Sequence, residues 1–124
     1  QEVASVQADR LAAARKLATA SGSVVVLKGH RTVIARPDGT VSFNSTGNPG
    51  MATAGTGDVL TGVVGAFLAG GCGPYDAARL GAFLHGLAGD LAACETGTDS
   101  LIATDLLEQL PAAIQWLRTG METG

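Results

Sequence analysis

Apolar residues at Val3, Val6, Leu11, Ala14 and Leu17 recur every three to five positions among Arg10, Arg15 and Lys16. That spacing predicts an amphipathic helix over residues 2–20, ended by Ser21-Gly22. The pattern then changes. "VVVLKG" (24–29) is short, continuously apolar and β-branched, which predicts a strand covered on both faces in a parallel sheet. In "TVIARPDGTVSFN" two β-rich runs flank Pro37-Asp38-Gly39, where proline presets one turn dihedral and glycine supplies the positive one, so a hairpin is predicted. Helical spacing returns at Val59, Leu60, Val63, Val64, Phe67 and Leu68 and closes at Gly70-Gly71. Pro74 suits the first position of another helix, and "YDAARLGAFLHGLAGDLAACE" is apolar almost all round, as expected of a buried helix. Thr104-Asp105 is predicted to cap a last helix through "LLEQLPAAIQWL", which Pro111 is expected to bend or divide.

The resulting class is α/β: one buried strand, a β-hairpin and about four helices. One strand and a hairpin cannot build the wide parallel sheet that "VVVLKG" implies. The 124 residues are therefore expected to be the C-terminal part of a single larger domain whose N-terminal strands lie elsewhere, on another chain or lost from this one. The exposed edges of such a partial sheet favour association, either as a homo-oligomer or with a companion N-terminal segment.

Composition narrows the class further. With 46% hydrophobic and 15% charged residues the chain is globular, and a net charge of −3 with scattered Lys and Arg gives no footprint for nucleic acid. No apolar run reaches the roughly 18 residues of a membrane span, and "QEVASVQADR" is not signal-like, so a soluble, cytoplasmic protein is expected. Cys72 and Cys94 have no metal-binding spacing and read as buried free thiols.

Chemistry concentrates in "NSTGNPGMATAGTGDVLTG". Glycines such as Gly55 and Gly57 let the backbone turn several N–H groups toward one point, and the helix that follows adds its unpaired amides and positive dipole end, which together suit an anion. Gly50 and Gly55 have the spacing of a P-loop, but Thr56 stands where that motif requires lysine. Asp58 is the odd residue, a carboxylate beside an anion hole. It reads either as a general base for an attacking hydroxyl or as an ordinary helix N-cap, and spacing alone leaves both open.

"GTGD" followed by an apolar helix resembles the anion-hole and base motif of the ribokinase-like kinases. The longer "NSTGNPGMATAGTGDVLTG" resembles one branch of them, the ADP- or ATP-dependent NAD(P)H-hydrate dehydratases. "VVVLKGHRTVIARPDG" is similar to that family's nucleotide-contacting strand and loop, and "LHGLAGDLAA" with "ATDLLEQLPAAI" to its two C-terminal helices. The resemblance covers essentially the whole chain, but the family's domain is about twice as long.

The resemblance implies a three-layer α/β/α fold and a lyase of metabolite repair, which returns hydrated NADH or NADPH to NADH or NADPH at the expense of ADP or ATP. The ring hydroxyl is phosphorylated and phosphate is then eliminated. It further implies that Asp58 is the base, with backbone amides at Gly55, Thr56 and Gly57 stabilising the transferring group. Lys28, Gly29, His30, Arg31, Thr32 and Gly57 would hold the nucleotide, Asp58 and Asn48 would meet substrate, and Mg2+ would arrive with the phosphates without a protein-only site. Alternatives are a ribokinase-like small-molecule kinase and an inactive nucleotide-binding fragment that needs its N-terminal half. Asn44 and Asn48 are equally good turn formers, His85 reads as a packed histidine, Trp116 as packing, and Asp90 and Asp105 as structural.

Overall fold

A computed structural model describes residues 3–28, 31–51 and 55–123. Helix α1 spans Val3–Ser21 and ends as expected at Gly22, whose positive φ of 67° lets its amide donate to the Ala18 carbonyl at 3.0 Å. Its core face is Leu11, Ala14 and Ala18; Leu17, expected inside, is 57% exposed. The i, i+4 pair of alanines lets the helix lie close against the strands.

Three short strands follow: β1 (Val25–Leu27), β2 (Val33–Ala35) and β3 (Val41–Phe43). They form a sheet in the order β1-β2-β3 with both pairings antiparallel, Val26 opposite Ile34 and Ile34 opposite Ser42. The expected parallel pairing of "VVVLKG" is thus not what the described strands make, and β2 takes the buried central place while β1 is half-buried. A run of apolar residues reports that both faces are covered, which is true here; it does not report strand direction.

The hairpin between β2 and β3 turns where expected. Gly39 has φ 93°, its amide donates to the Arg36 carbonyl at 3.0 Å, and the Asp38 carboxylate accepts from the Thr40 amide at 2.9 Å. That amide bond holds the exposed Asp38 carboxyl below its usual range. Arg15 of α1 donates to the Gly39 carbonyl at 3.1 Å, which ties the hairpin to the first layer.

Helices α2 (Thr56–Ala69), α3 (Pro74–Thr96) and α4 (Ala103–Thr123) complete the chain. Val33 and Ala35 point to α1, and Ile34 points the other way onto Leu60 of α2 and Ala78 and Ala82 of α3. The result is three layers, helix on sheet on helices, as the alternation of a strand requires. Helix α4 closes the far side, with Leu106 and Ala113 buried against Val59, Ala92, Leu84 and Ala88.

Several expectations are corrected at this level. Asp105 is not at the cap: α4 begins at Ala103, and the Asp105 carboxylate reaches back to accept from the Ile102 amide at 2.9 Å, the return half of a capping box. Pro111 does not divide α4, because the helix continues through it. Cys94 is exposed and Cys72 half-buried, both free. Trp116 is 56% exposed and leans on Phe83 with ring centroids 6.0 Å apart. Among the described residues no helix is long and apolar enough to cross a membrane.

Candidate functional site

Between β3 and α2 the chain crosses α3, and small residues on that helix make room for it. A Cβ at Gly86 would collide with the backbone and side chain of Thr46, and one at Gly89 with the thioether of Met51. Polar bonds then fasten the segment. Asn44 donates to the Ala82 carbonyl at 3.0 Å and Thr46 to the Phe83 carbonyl at 2.9 Å. Asp90 accepts at both oxygens, from the Gly47 amide at 3.0 Å and the Asn48 side chain at 2.9 Å. Asn48 in turn accepts the Gly50 amide at 3.0 Å, so both ends of its side chain already shape the loop. Asn44 and Asn48 therefore do the turn-forming task that their residue type allows, and Asp90 is the structural anchor expected of it.

"GTGD" enters α2 through Gly55, whose φ of 90° is a left-handed conformation that a side chain would resist. Gly55 occupies the N-cap position, so Asp58 is the third residue of the helix and not its cap. The ordinary-cap reading of Asp58 is thereby removed. Thr56 is buried, and its hydroxyl donates to the Met51 carbonyl at 2.5 Å. Amides at Thr56, Gly57 and Asp58 have no intrahelical acceptor by position, and the positive end of the α2 dipole lies there.

His85 of α3 supports this turn from below. Its Nε2 lies 2.7 Å from the Thr56 carbonyl, and since a carbonyl only accepts, Nε2 carries the proton. Burial lowers the His85 pKa, and the nearby Lys28 ammonium lowers it further against the bond to Thr56. The imidazole is thus held neutral, as a packed, hydrogen-bonded histidine.

Lys28 arrives from the end of β1. A Cβ built on Gly57 would sit 2.5 Å from its Nζ, so the ammonium rests against the first turn of α2 across 29 positions of sequence. Lys28, Arg31 and Thr32 line a cavity of about 750 Å³ together with residues 43–48, Met51, Leu60 and His85. Of the expected nucleotide-contacting run, Lys28, Arg31 and Thr32 come together there; Gly29 and His30 lie outside the described residues.

Asp58 does not line that cavity. Exposed, it borders a second groove of about 670 Å³, largely apolar, between α2, α3 and α4, with Val63, Phe67, Leu84, Leu107 and Ile114. Consecutive helix residues point about 100° apart. Gly57 therefore meets Lys28 on one side of the helix terminus while Asp58 turns to the other. Lys28 thus lines the first cavity and Asp58 the second groove.

A lysine against a helix N-terminus with a carboxylate in its first turn, on a helix–sheet–helix frame, places the chain among α/β proteins whose helix termini face a cavity. Comparison with known proteins makes the class specific: a family model described as NAD(P)H-hydrate dehydratase matches residues 1–112. The chain belongs to that family. It is 52% identical over 120 residues to the bifunctional NAD(P)H-hydrate repair enzyme Nnr of Moorella thermoacetica, covering 97% of this chain and 23% of the relative. To the ADP-dependent (S)-NAD(P)H-hydrate dehydratase of Neisseria meningitidis it is 49% identical, covering 94% of this chain and 38% of that protein. The crystal structure of the ADP/ATP-dependent NAD(P)H-hydrate dehydratase of Bacillus subtilis, co-crystallised with ATP and Mg2+, superposes with a TM-score of 0.82 at 38% identity, over 91% of this chain and 40% of that one. The chain thus spans well under half the length of the relatives it matches.

Proposed function

We propose that this chain carries the nucleotide cradle and the catalytic base of an ADP- or ATP-dependent NAD(P)H-hydrate dehydratase, a carbon–oxygen lyase of metabolite repair in the cytoplasm. The observation that carries the reading is the α2 terminus, with Lys28 against Gly57 on one side and Asp58 on the other. Nucleotide phosphates in the Lys28 cavity would present their terminal phosphorus to amides at Gly55, Thr56 and Gly57, with Arg31, Thr32 and the intervening Gly29 and His30 completing the cradle. The hydrated nicotinamide would approach from the Asp58 side.

In this reading Asp58 takes the proton of the ring hydroxyl as its oxygen attacks phosphorus, and the nucleotide leaves one phosphate shorter. The helix amides hold the charge that spreads over the transferring oxygens. The ring nitrogen then pushes its electron pair toward the phosphorylated carbon, the C–O bond breaks, phosphate departs, and a proton lost from the neighbouring ring carbon restores the dihydronicotinamide. Asn48 borders the nucleotide cavity, not the Asp58 groove, and would meet substrate only where it extends into that cavity, through bonding capacity left over from Asp90 and Gly50.

Mg2+ would neutralise phosphate charge during the transfer. In this reading the ion arrives with the nucleotide, held mostly by phosphate and water. We also propose that a companion N-terminal segment completes the domain: the relatives are longer, and β1 has a strand neighbour on one side only among the described residues.

The test is incubation with hydrated NADH, ADP or ATP, and Mg2+, with and without the N-terminal portion of a dehydratase relative. Recovery of reduced-nicotinamide absorbance, with one phosphate released per turnover, supports the reading. A stable phosphorylated alcohol would instead make the chain part of a small-molecule kinase, and nucleotide binding without turnover in either setting would leave only a binding fragment.

A further inference from the structure

Arg10 of α1 lies outside every motif that the proposed chemistry uses, yet its guanidinium gathers the backbone at the end of β1 and just before β2. It donates to the carbonyls of Leu27 at 3.2 Å, Lys28 at 3.3 Å and Arg31 at 3.3 Å. A planar fork with five N–H donors is the side chain that can serve three converging carbonyls at once. Arg31 adds a second observation: it is the one non-glycine among the described residues with positive φ, 61°, a conformation that a long side chain adopts only when its surroundings hold it there.

A trans peptide points its C=O and its N–H in opposite directions. With the Leu27 and Arg31 carbonyls turned onto Arg10, the amides of Lys28 and Thr32 face away from it, and these two residues line the cationic cavity. We propose that Arg10 is a positioning residue for nucleotide binding: it fixes the backbone at Leu27–Lys28 and at Arg31 so that main-chain donors and the Lys28 and Arg31 side chains stand ready for a nucleoside di- or triphosphate. This rests on the nucleotide reading of the cavity above. Its logic is preorganisation, since donors already ordered lose less entropy when an anion arrives.

The experiment compares wild type with Arg10→Gln and Arg10→Lys in the full chain, measuring ADP and ATP affinity by calorimetry with Mg2+, thermal midpoint, and amide hydrogen exchange at Val33 and Asn44. Arg10→Gln is expected to weaken ADP binding about tenfold, equivalent to about 1.4 kcal/mol, to speed exchange at Val33, which pairs with Leu27, and at Asn44, whose amide bonds the Thr32 carbonyl, and to leave exchange in α3 unchanged. Arg10→Lys, a compact charge that cannot span three carbonyls, should recover only part of the affinity. In an active assembly the change should appear in the nucleotide KM with kcat preserved, which mere loss of folded protein would not produce. ADP affinity within twofold of wild type, or unaltered exchange at Val33 and Asn44, would overturn the proposal. Should wild type itself bind no nucleotide, the nucleotide reading fails and Arg10's role in nucleotide binding fails with it; the exchange data then show separately whether Arg10 clamps this backbone. Should Arg10→Gln not fold, Arg10→Lys carries the same comparison.

Discussion

Replacing Gly57 by alanine separates the site's function from its stability. The new Cβ would lie 2.5 Å from Lys28 Nζ, about 1 Å inside ordinary carbon–nitrogen contact. The obstacle is the far end of a flexible side chain, so the ammonium withdraws and the backbone stays. Gly57 is helical, and Ala is a better helix former than Gly by up to about 1 kcal/mol. Folding should therefore be unharmed or slightly improved, by as much as about 3 °C in Tm for a chain of this size. The ligand is affected differently. For an ammonium pushed from about 3 to about 4 Å from a phosphate oxygen, Coulomb's law at an effective dielectric near 20 gives a loss of about 1.4 kcal/mol, and at the dielectric of water about 0.3 kcal/mol. Lys28 is exposed, so the expected weakening of ADP and ATP binding lies between about twofold and tenfold. Calorimetric titration alongside thermal melting reads both quantities on one sample. A Gly57→Ala protein that melts as high as wild type and binds nucleotide equally well would show that Lys28 and the α2 terminus do not act on a common anion.

Other perturbations address the remaining parts. Asp58→Asn should preserve nucleotide affinity and slow turnover by about 10²- to 10⁴-fold in an assembly that is active, the usual scale for losing a general base; turnover near normal would remove the base assignment. Gly86→Ala should destabilise folding by about 1–3 kcal/mol, because the added methyl meets the backbone of Thr46, which has no easy retreat; urea denaturation checks it, and an unchanged midpoint would refute the close packing of this loop on α3. Burial holds the folded-state pKa of His85 below the ordinary histidine value of about 6.5, so the unfolded chain binds more protons between the two values. Stability should accordingly fall as pH drops from about 6.5 through the folded-state pKa and stay level with respect to this group above 6.5; a His85→Gln variant with the same slope would assign the effect elsewhere.

Local patterns in the chain carried most of the elements and less of their assembly. Glycine and proline placed the C-terminal end of α1, the turn between β2 and β3 and the start of α3, since each acts through its own dihedral freedom or restriction. Strand direction was not legible, because Val25 and Leu27 face α1 and Val26 faces α2 and α3 whichever way the neighbouring strand runs. The face of α1 was misjudged for a related reason. Leu17 has the larger apolar side chain, but where a helix must approach a sheet closely the small Ala14 and Ala18 are the residues that fit inside.

The candidate site divides in the same manner. "GTGD" before an apolar run placed Asp58 in the first turn of a helix, a property of neighbouring residues, but the pairing of Lys28 with Gly57 and of His85 with Thr56 each spans 29 positions, and no periodicity encodes a contact at that distance. One trace of such contacts was present. Gly81, Gly86 and Gly89 interrupt an otherwise good helix former, and each glycine there weakens α3 by up to about 1 kcal/mol relative to alanine. A buried helix keeps such residues where something presses against it, and here Val64, Thr46 and Met51 do so. Glycines inside an apolar helix thus mark where another segment crosses it, and the crossing segment in this chain leads directly into the amides at the start of α2.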